Sequence, residues 1–98
     1  MPDAEDKYAI FYEKANDVAK TLEAKNRDYG DSFFNVYNKF GDLSTYIRLA
    51  DKLGRLENLV LRKEMMVKNE PTEDVLRDMA GYCILTLVAK EELSKKSA

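Results

Sequence analysis

The sequence predicts an all-α fold: an antiparallel helical bundle of three long helices and one short one. Three observations carry this expectation. Apolar residues recur at spacings of three and four, and no segment alternates with a period of two. Only two prolines, Pro2 and Pro71, and four glycines punctuate the chain. The 98 residues are 45% hydrophobic, enough for the core of one domain spanning residues 1–98. A polar tail over residues 90–98 is expected to fray.

Helix one is expected from about Asp3 to Arg27. Its stripe is Tyr8, Phe11, Tyr12, Ala15, Val18, Ala19 and Leu22. Asp3 can cap it, and Gly30 is a natural stop. A short helix from Ser32 to Phe40 carries Phe33, Phe34, Val36, Tyr37 and Phe40 and ends at Gly41. Helix three is expected from about Leu43 to Lys68. Its stripe is Leu43, Tyr46, Ile47, Ala50, Leu53, Gly54, Val60 and Leu61, and Ala50 and Gly54 allow a neighbouring helix close. Pro71 suits the first turn of helix four, which is expected to run to about Lys95 with Leu76, Met79, Ala80, Cys83, Ile84, Leu87 and Val88 as its stripe. The short connection near Asn69 makes helices three and four antiparallel. The Met79–Ala89 run is apolar almost all round, so neighbours should enclose it, within the bundle or across a subunit interface.

Charge and composition narrow the function. Sixteen basic and eighteen acidic residues leave a net charge of −2, with no footprint for polymeric nucleic acid or an anionic membrane. The N-terminus lacks the pattern of a signal peptide, and the Met79–Ala89 run is too short to span a bilayer. With the single cysteine, Cys83, this points to a cytoplasmic protein. Histidine is absent, which removes Ser-His-Asp and Cys-His catalysis. A domain this small gains burial by self-association, so a homo-oligomer, dimer or tetramer, is expected.

Three clusters could carry chemistry. Glu70, Asp74 and Asp78 are spaced four apart, on one helical face near a helix N-terminus. Such a set can hold a hard cation such as Mg²⁺, which takes oxygen ligands and leaves positions for substrate phosphates. Acidic first turns also arise from the helix dipole alone. On helix three, Arg48, Asp51, Lys52, Arg55, Asn58 and Arg62 form a charged group, suited to phosphate or to an outer face with a local Asp51–Arg55 ion pair. Glu57 falls inside the apolar stripe and requires a partner, an edge position or the metal site. In Lys25–Phe33, Lys25 and Arg27 could meet phosphate, Asp28 sugar or metal, and Tyr29 a base, or the segment is an ordinary helix end.

Three strings in order add to this reading: KNRDYG (Lys25–Gly30), IRLADKLGRLENL (Ile47–Leu59) and EPTEDVLRDMAGYCIL (Glu70–Leu85). Together they resemble the phage and bacterial family called nucleotide modification associated domain, type one. That family is similar to the MazG-like all-α nucleoside triphosphate pyrophosphatases and dimeric dUTPases. The family pattern is matched at Lys25, Asn26, Asp28, Tyr29 and Gly30, at Arg48, Asp51, Lys52, Arg55, Asn58 and Leu59, and at Glu70, Asp74, Asp78 and Tyr82. The chain reads Asn69-Glu70-Pro71 where the family usually has Asp-Glu-Ser, and it has neither the Glu-x-x-Glu nor the Glu-x-x-Asp set of the enzymes in the matching places.

The resemblance implies a MazG-like bundle and a Mg²⁺-dependent nucleoside triphosphate pyrophosphohydrolase or a nucleotide-binding protein. Asp51, Glu70, Asp74 and Asp78 would hold the metal, with Asp51, Asp74 and Asp78 in catalysis. Lys25, Asp28, Tyr29, Arg48, Lys52, Arg55 and Asn58 would bind the nucleotide. The rival expectations are a non-catalytic binding module, with the carboxylates in ion pairs to Arg48, Arg55 or Lys52, and a structural oligomer.

Overall fold

The computed structural model describes residues 4–62 and 71–97. Every regular element among them is helical: α1 (Ala4–Tyr29), α2 (Ser32–Phe40), α3 (Asp42–Glu57) continuing into a π-helical turn (Asn58–Arg62), and α4 (Thr72–Ser97). The expected Asp3 cap, the extension of helix three to Lys68, the connection near Asn69 and Glu70 lie outside the described residues. The chain divides into two compact units, residues 1–31 and 32–98.

The first unit is α1. It stops at Gly30, whose φ of 65° suits a residue without Cβ. Along its expected stripe Tyr8, Phe11 and Tyr12 are exposed, while Val18 and Leu22 are half-buried. Near its end, Asn26 Nδ2 donates to Asp31 Oδ1 at 3.1 Å.

In the second unit α2 packs on both α3 and α4, and α3 packs on α4. Gly41 makes the α2–α3 corner at φ 63° and ψ −146°, a conformation essentially restricted to glycine. The corner is closed by the Gly41 N–H donating to the Tyr37 carbonyl at 2.7 Å and by Ser44 Oγ donating to the Gly41 carbonyl at 2.8 Å. Helix four starts one residue after Pro71, whose carbonyl accepts from the Asp74 N–H at 3.0 Å.

Three cross-links set the direction of α3 against α4. Asp42 meets Lys90, Thr45 meets Thr86 and Lys52 meets Asp78. The partners descend α4 as they ascend α3, so the two helices are antiparallel. Helix α4 continues through Ser97; Lys90 pairs with Asp42, and Lys95 with Glu91 and Glu92.

The face that α3 turns inward differs from expectation. Its apolar stripe is exposed: Leu43, Tyr46, Ile47 and Leu53 all stand more than half open to solvent, and Leu61 is 75% exposed. The side chains packed inward are Ser44, Thr45, Arg48, Leu49, Lys52 and Leu56. At about 100° per residue the two faces lie about 150° apart around the helix. Polar inner positions are tolerated because Thr45, Arg48 and Lys52 find partners on α2 or α4 and Ser44 bonds the Gly41 carbonyl, and among the described residues no buried side-chain polar atom lacks a partner. On α4 the inner line is Val75, Asp78, Tyr82, Thr86 and Ala89, whereas Leu76, Cys83 and Leu87 of the expected stripe are exposed. Val75 is fully buried.

Glu57 is exposed at the end of α3 and accepts from Arg62 at 3.5 Å, so its place in the apolar stripe involves no buried charge.

Candidate functional site

Four motif residues of the two helices, Arg48, Lys52, Asp78 and Tyr82, meet in the α3–α4 seam. The Arg48 guanidinium lies 5.4 Å from the centre of the Tyr82 ring and 5.7 Å from that of Phe33. One turn further along α3 and one turn back along α4, Lys52 Nζ lies 3.0 Å from Asp78 Oδ2. The Lys52 and Asp78 side chains are 15% and 34% exposed, so this ion pair is more sheltered than a surface pair.

Helix two supplies the aromatic floor. Phe33 stacks on Tyr82 at 6.4 Å and 18° and on Tyr37 at 6.3 Å and 13°. The three rings form a row across α4 and α2, with Arg48 at one end and Lys90 at the other, 5.9 Å from the Tyr37 ring. Cations over ring faces are attracted by the ring quadrupole. The Tyr37 hydroxyl donates to Asp42 Oδ1 at 2.8 Å, and Lys90 Nζ reaches the same carboxylate at 2.8 Å. The Lys90 ammonium, then the Tyr37 hydroxyl, hold the Asp42 carboxyl below the ordinary aspartate range. The Asp42 carboxylate, then Tyr37, raises Lys90 above the ordinary lysine range.

Between the two ion pairs, Thr86 Oγ1 donates to the Tyr82 carbonyl at 2.7 Å. That uses its only hydrogen, so in the 2.7 Å contact between the threonine hydroxyls Thr45 donates to Thr86.

The remaining expected site residues are dispersed. Asp74 is exposed and pairs with Arg77 on its own helix at 3.2 Å. Asp51, Arg55 and Asn58 are exposed on α3 and the π turn; the Asn58 N–H donates to the carbonyls of Gly54 and Arg55. Lys25, Asp28 and Tyr29 are exposed at the end of α1, in the first unit. Arg27, beside them, pairs with Glu23 at 2.8 Å. Glu70 lies outside the described residues. Among the described residues no three acidic or thiol side chains converge as a metal cage. Two carboxylates, Asp74 and Asp78, do share a face of α4 one turn apart, and a hard cation can be held by one or two carboxylates with water and substrate phosphate.

The sequence reading missed the roles of Phe33, Tyr37 and the Asp42–Lys90 and Thr45–Thr86 pairs. Phe33 and Tyr37 are four apart, a spacing that puts both rings on one face of α2. The two cross-helix pairs leave no such local signal.

Among the described residues the protein is all-helical, and three of its charged motif residues, Arg48, Lys52 and Asp78, lie along one interhelical seam beside an aromatic floor. A family model described as nucleotide modification associated domain 1 matches residues 25–89, and the chain belongs to that family. No curated protein matches the chain, and no solved structure does. No helix among the described residues is long and apolar enough to cross a membrane.

Proposed function

We propose that the protein acts on nucleoside triphosphates as their magnesium complexes, as a pyrophosphohydrolase of MazG-like type working in the cytoplasm. The observation that carries the reading is the Lys52–Asp78 pair, 3.0 Å apart and part-sheltered, within the stretch 25–89 that matches the family. A lysine is a phosphate ligand and an aspartate a magnesium ligand. A magnesium–phosphate complex presents the same adjacent opposite charges that these two side chains present to each other. Asp78 and Asp74, with Asp51, would hold the cation, which would offset phosphate charge and make water a better nucleophile. Lys52 would bind phosphate, with Arg55 beside it on α3. Arg48, held over Phe33 and Tyr82, would keep its N–H edges for a further phosphate oxygen.

A non-catalytic nucleotide-binding module is the second reading. Its support is that Asp78 and Asp74 are already neutralised, by Lys52 and Arg77.

Pyrophosphate release from canonical and modified deoxynucleoside triphosphates, with Mg²⁺ or EDTA, tests both readings, alongside calorimetric binding of the same nucleotides. Mg²⁺-dependent release that is lost in Asp78→Asn supports the first. Binding that Lys52→Met weakens, without release, supports the second. Neither binding nor release from folded protein removes both.

A further inference from the structure

The Lys52–Asp78 pair is lopsided. The Lys52 side chain is 15% exposed and that of Asp78 34%, so the carboxylate is the more open member and the ammonium lies behind it, 3.0 Å away. The next cation along α3, Arg48, is half-buried against the rings of Tyr82 and Phe33. The next carboxylate along α4, Asp74, is more than half exposed, with Arg77 as its counter-ion. At this level of the seam the cations of α3 are turned inward and the carboxylates of α4 outward.

Burial makes the two charges of the pair depend on each other. A part-sheltered ammonium or carboxylate stripped of its partner keeps much of its desolvation cost. A free phosphate can reach Lys52 only by displacing Asp78. That leaves the carboxylate unpaired and sets it against the negative charge of the phosphate. A phosphate that carries a divalent cation meets no such penalty. The carboxylate passes to the cation and the released ammonium to a phosphate oxygen, so both opposite charges are replaced in one exchange. Specificity can come from a group that penalises the wrong ligand as much as from contacts to the right one.

We propose that Asp78 is the specificity-determining residue that rejects metal-free phosphate: it masks Lys52 until its carboxylate passes to a cation carried by the phosphate. The inference rests on the reading of Lys52 as a phosphate ligand and adds to it the rejection of the ligand without its metal.

Calorimetric titration of the full chain with inorganic tripolyphosphate, in EDTA or in Mg²⁺, tests it. The wild type is expected to bind about tenfold more weakly in EDTA than in Mg²⁺. Asp78→Asn, with helical circular dichroism retained, is expected to bind about tenfold more tightly than the wild type in EDTA and to lose most of the dependence on Mg²⁺. A loss of structure would weaken both. Asp74→Asn makes the same change in net charge one turn away and is expected to gain less than about threefold in EDTA. Adding Lys52→Met to Asp78→Asn is expected to remove the gain, because the uncovered ammonium is its source.

A folded Asp78→Asn that gains no more in EDTA than Asp74→Asn overturns the inference, as does a wild type that binds both forms alike or neither. If Asp78→Asn does not fold, Lys52→Met decides, an apolar replacement of similar length that suits a part-buried site. Its uncovered carboxylate is expected to bind Mn²⁺ alone, followed by electron paramagnetic resonance, about threefold more tightly than the wild type. An unchanged or weaker Mn²⁺ affinity overturns the inference. Nucleotide turnover is measured separately, so the proposed pyrophosphohydrolase stands if turnover persists while Asp78 proves not to discriminate.

Discussion

The Arg48 guanidinium rests 5.4 Å from the centre of the Tyr82 ring, so a charge that reads as outward-facing in a helical pattern is spent on an aromatic face inside the seam. Tyr82 is itself stacked on Phe33, and Arg48 touches both rings. The arginine therefore connects all three helices of the second unit. Arg48→Met keeps the length of the side chain and removes the cation. It is expected to destabilise the protein by about 1 kcal/mol, the magnitude of a part-desolvated cation–π contact. Urea denaturation checks this. In a double-mutant cycle with Tyr82→Leu the two losses are expected to be less than additive, because they remove one interaction.

The threonine pair predicts a sign reversal. Thr86→Val leaves the buried Thr45 hydroxyl without its acceptor and is expected to destabilise by about 1–2 kcal/mol. Adding Thr45→Val removes the orphaned donor. The double variant is expected to recover most of that loss, since two apolar groups of the same shape replace both partners. Thermal unfolding of the two single variants and the double variant tests it, and a double variant less stable than both would refute it.

Lys52 and Asp78 serve stability as well as the proposed chemistry. Asp78→Asn is expected to lower stability by about 1 kcal/mol, between an exposed and a buried pair. The charge swap Lys52→Asp with Asp78→Lys is expected to restore stability to within about 0.5 kcal/mol while leaving pyrophosphate release abolished. Restored release in the swap would show that the positions of the two charges do not matter.

The Asp42–Lys90 pair makes stability depend on pH at both extremes. Asp42 titrates below its ordinary range, held there first by Lys90 and then by Tyr37. Its contribution is complete above the ordinary aspartate pKa and is lost as pH falls through the depressed value. Lys90 titrates above its ordinary range. Its contribution is complete below the ordinary lysine pKa and is lost as pH rises through the raised value. Lys90→Met is expected to flatten both slopes in a Tm-against-pH profile and to leave the neutral plateau flat.

Val75 is the most deeply buried side chain of α4. Val75→Ala is expected to destabilise by about 2 kcal/mol through lost burial and the cavity left behind. Leu76→Ala, one residue away on the exposed side, is expected to change protomer stability by less than 0.5 kcal/mol. The ratio of the two effects in denaturant melts checks which face of α4 is inward.

What the sequence determined by itself was local. Spacings of three and four set the helices, and Gly30 and Gly41 set the ends of α1 and α2. The family followed from residues 25–89, because the order of three strings survives without any knowledge of contacts. Which face of α3 turns inward was not legible. A periodic stripe shows that a face exists, but the choice of face depends on partners carried by other helices. Thr45 packs inward because Thr86 can accept its hydrogen bond, Lys52 because Asp78 neutralises it, and Arg48 because Phe33 and Tyr82 give it a ring surface. Each partner lies more than ten residues away along the chain, beyond the reach of any helical repeat. Only the tertiary structure brings those pairs together, and it thereby leaves Leu43, Ile47 and Leu53 facing outward.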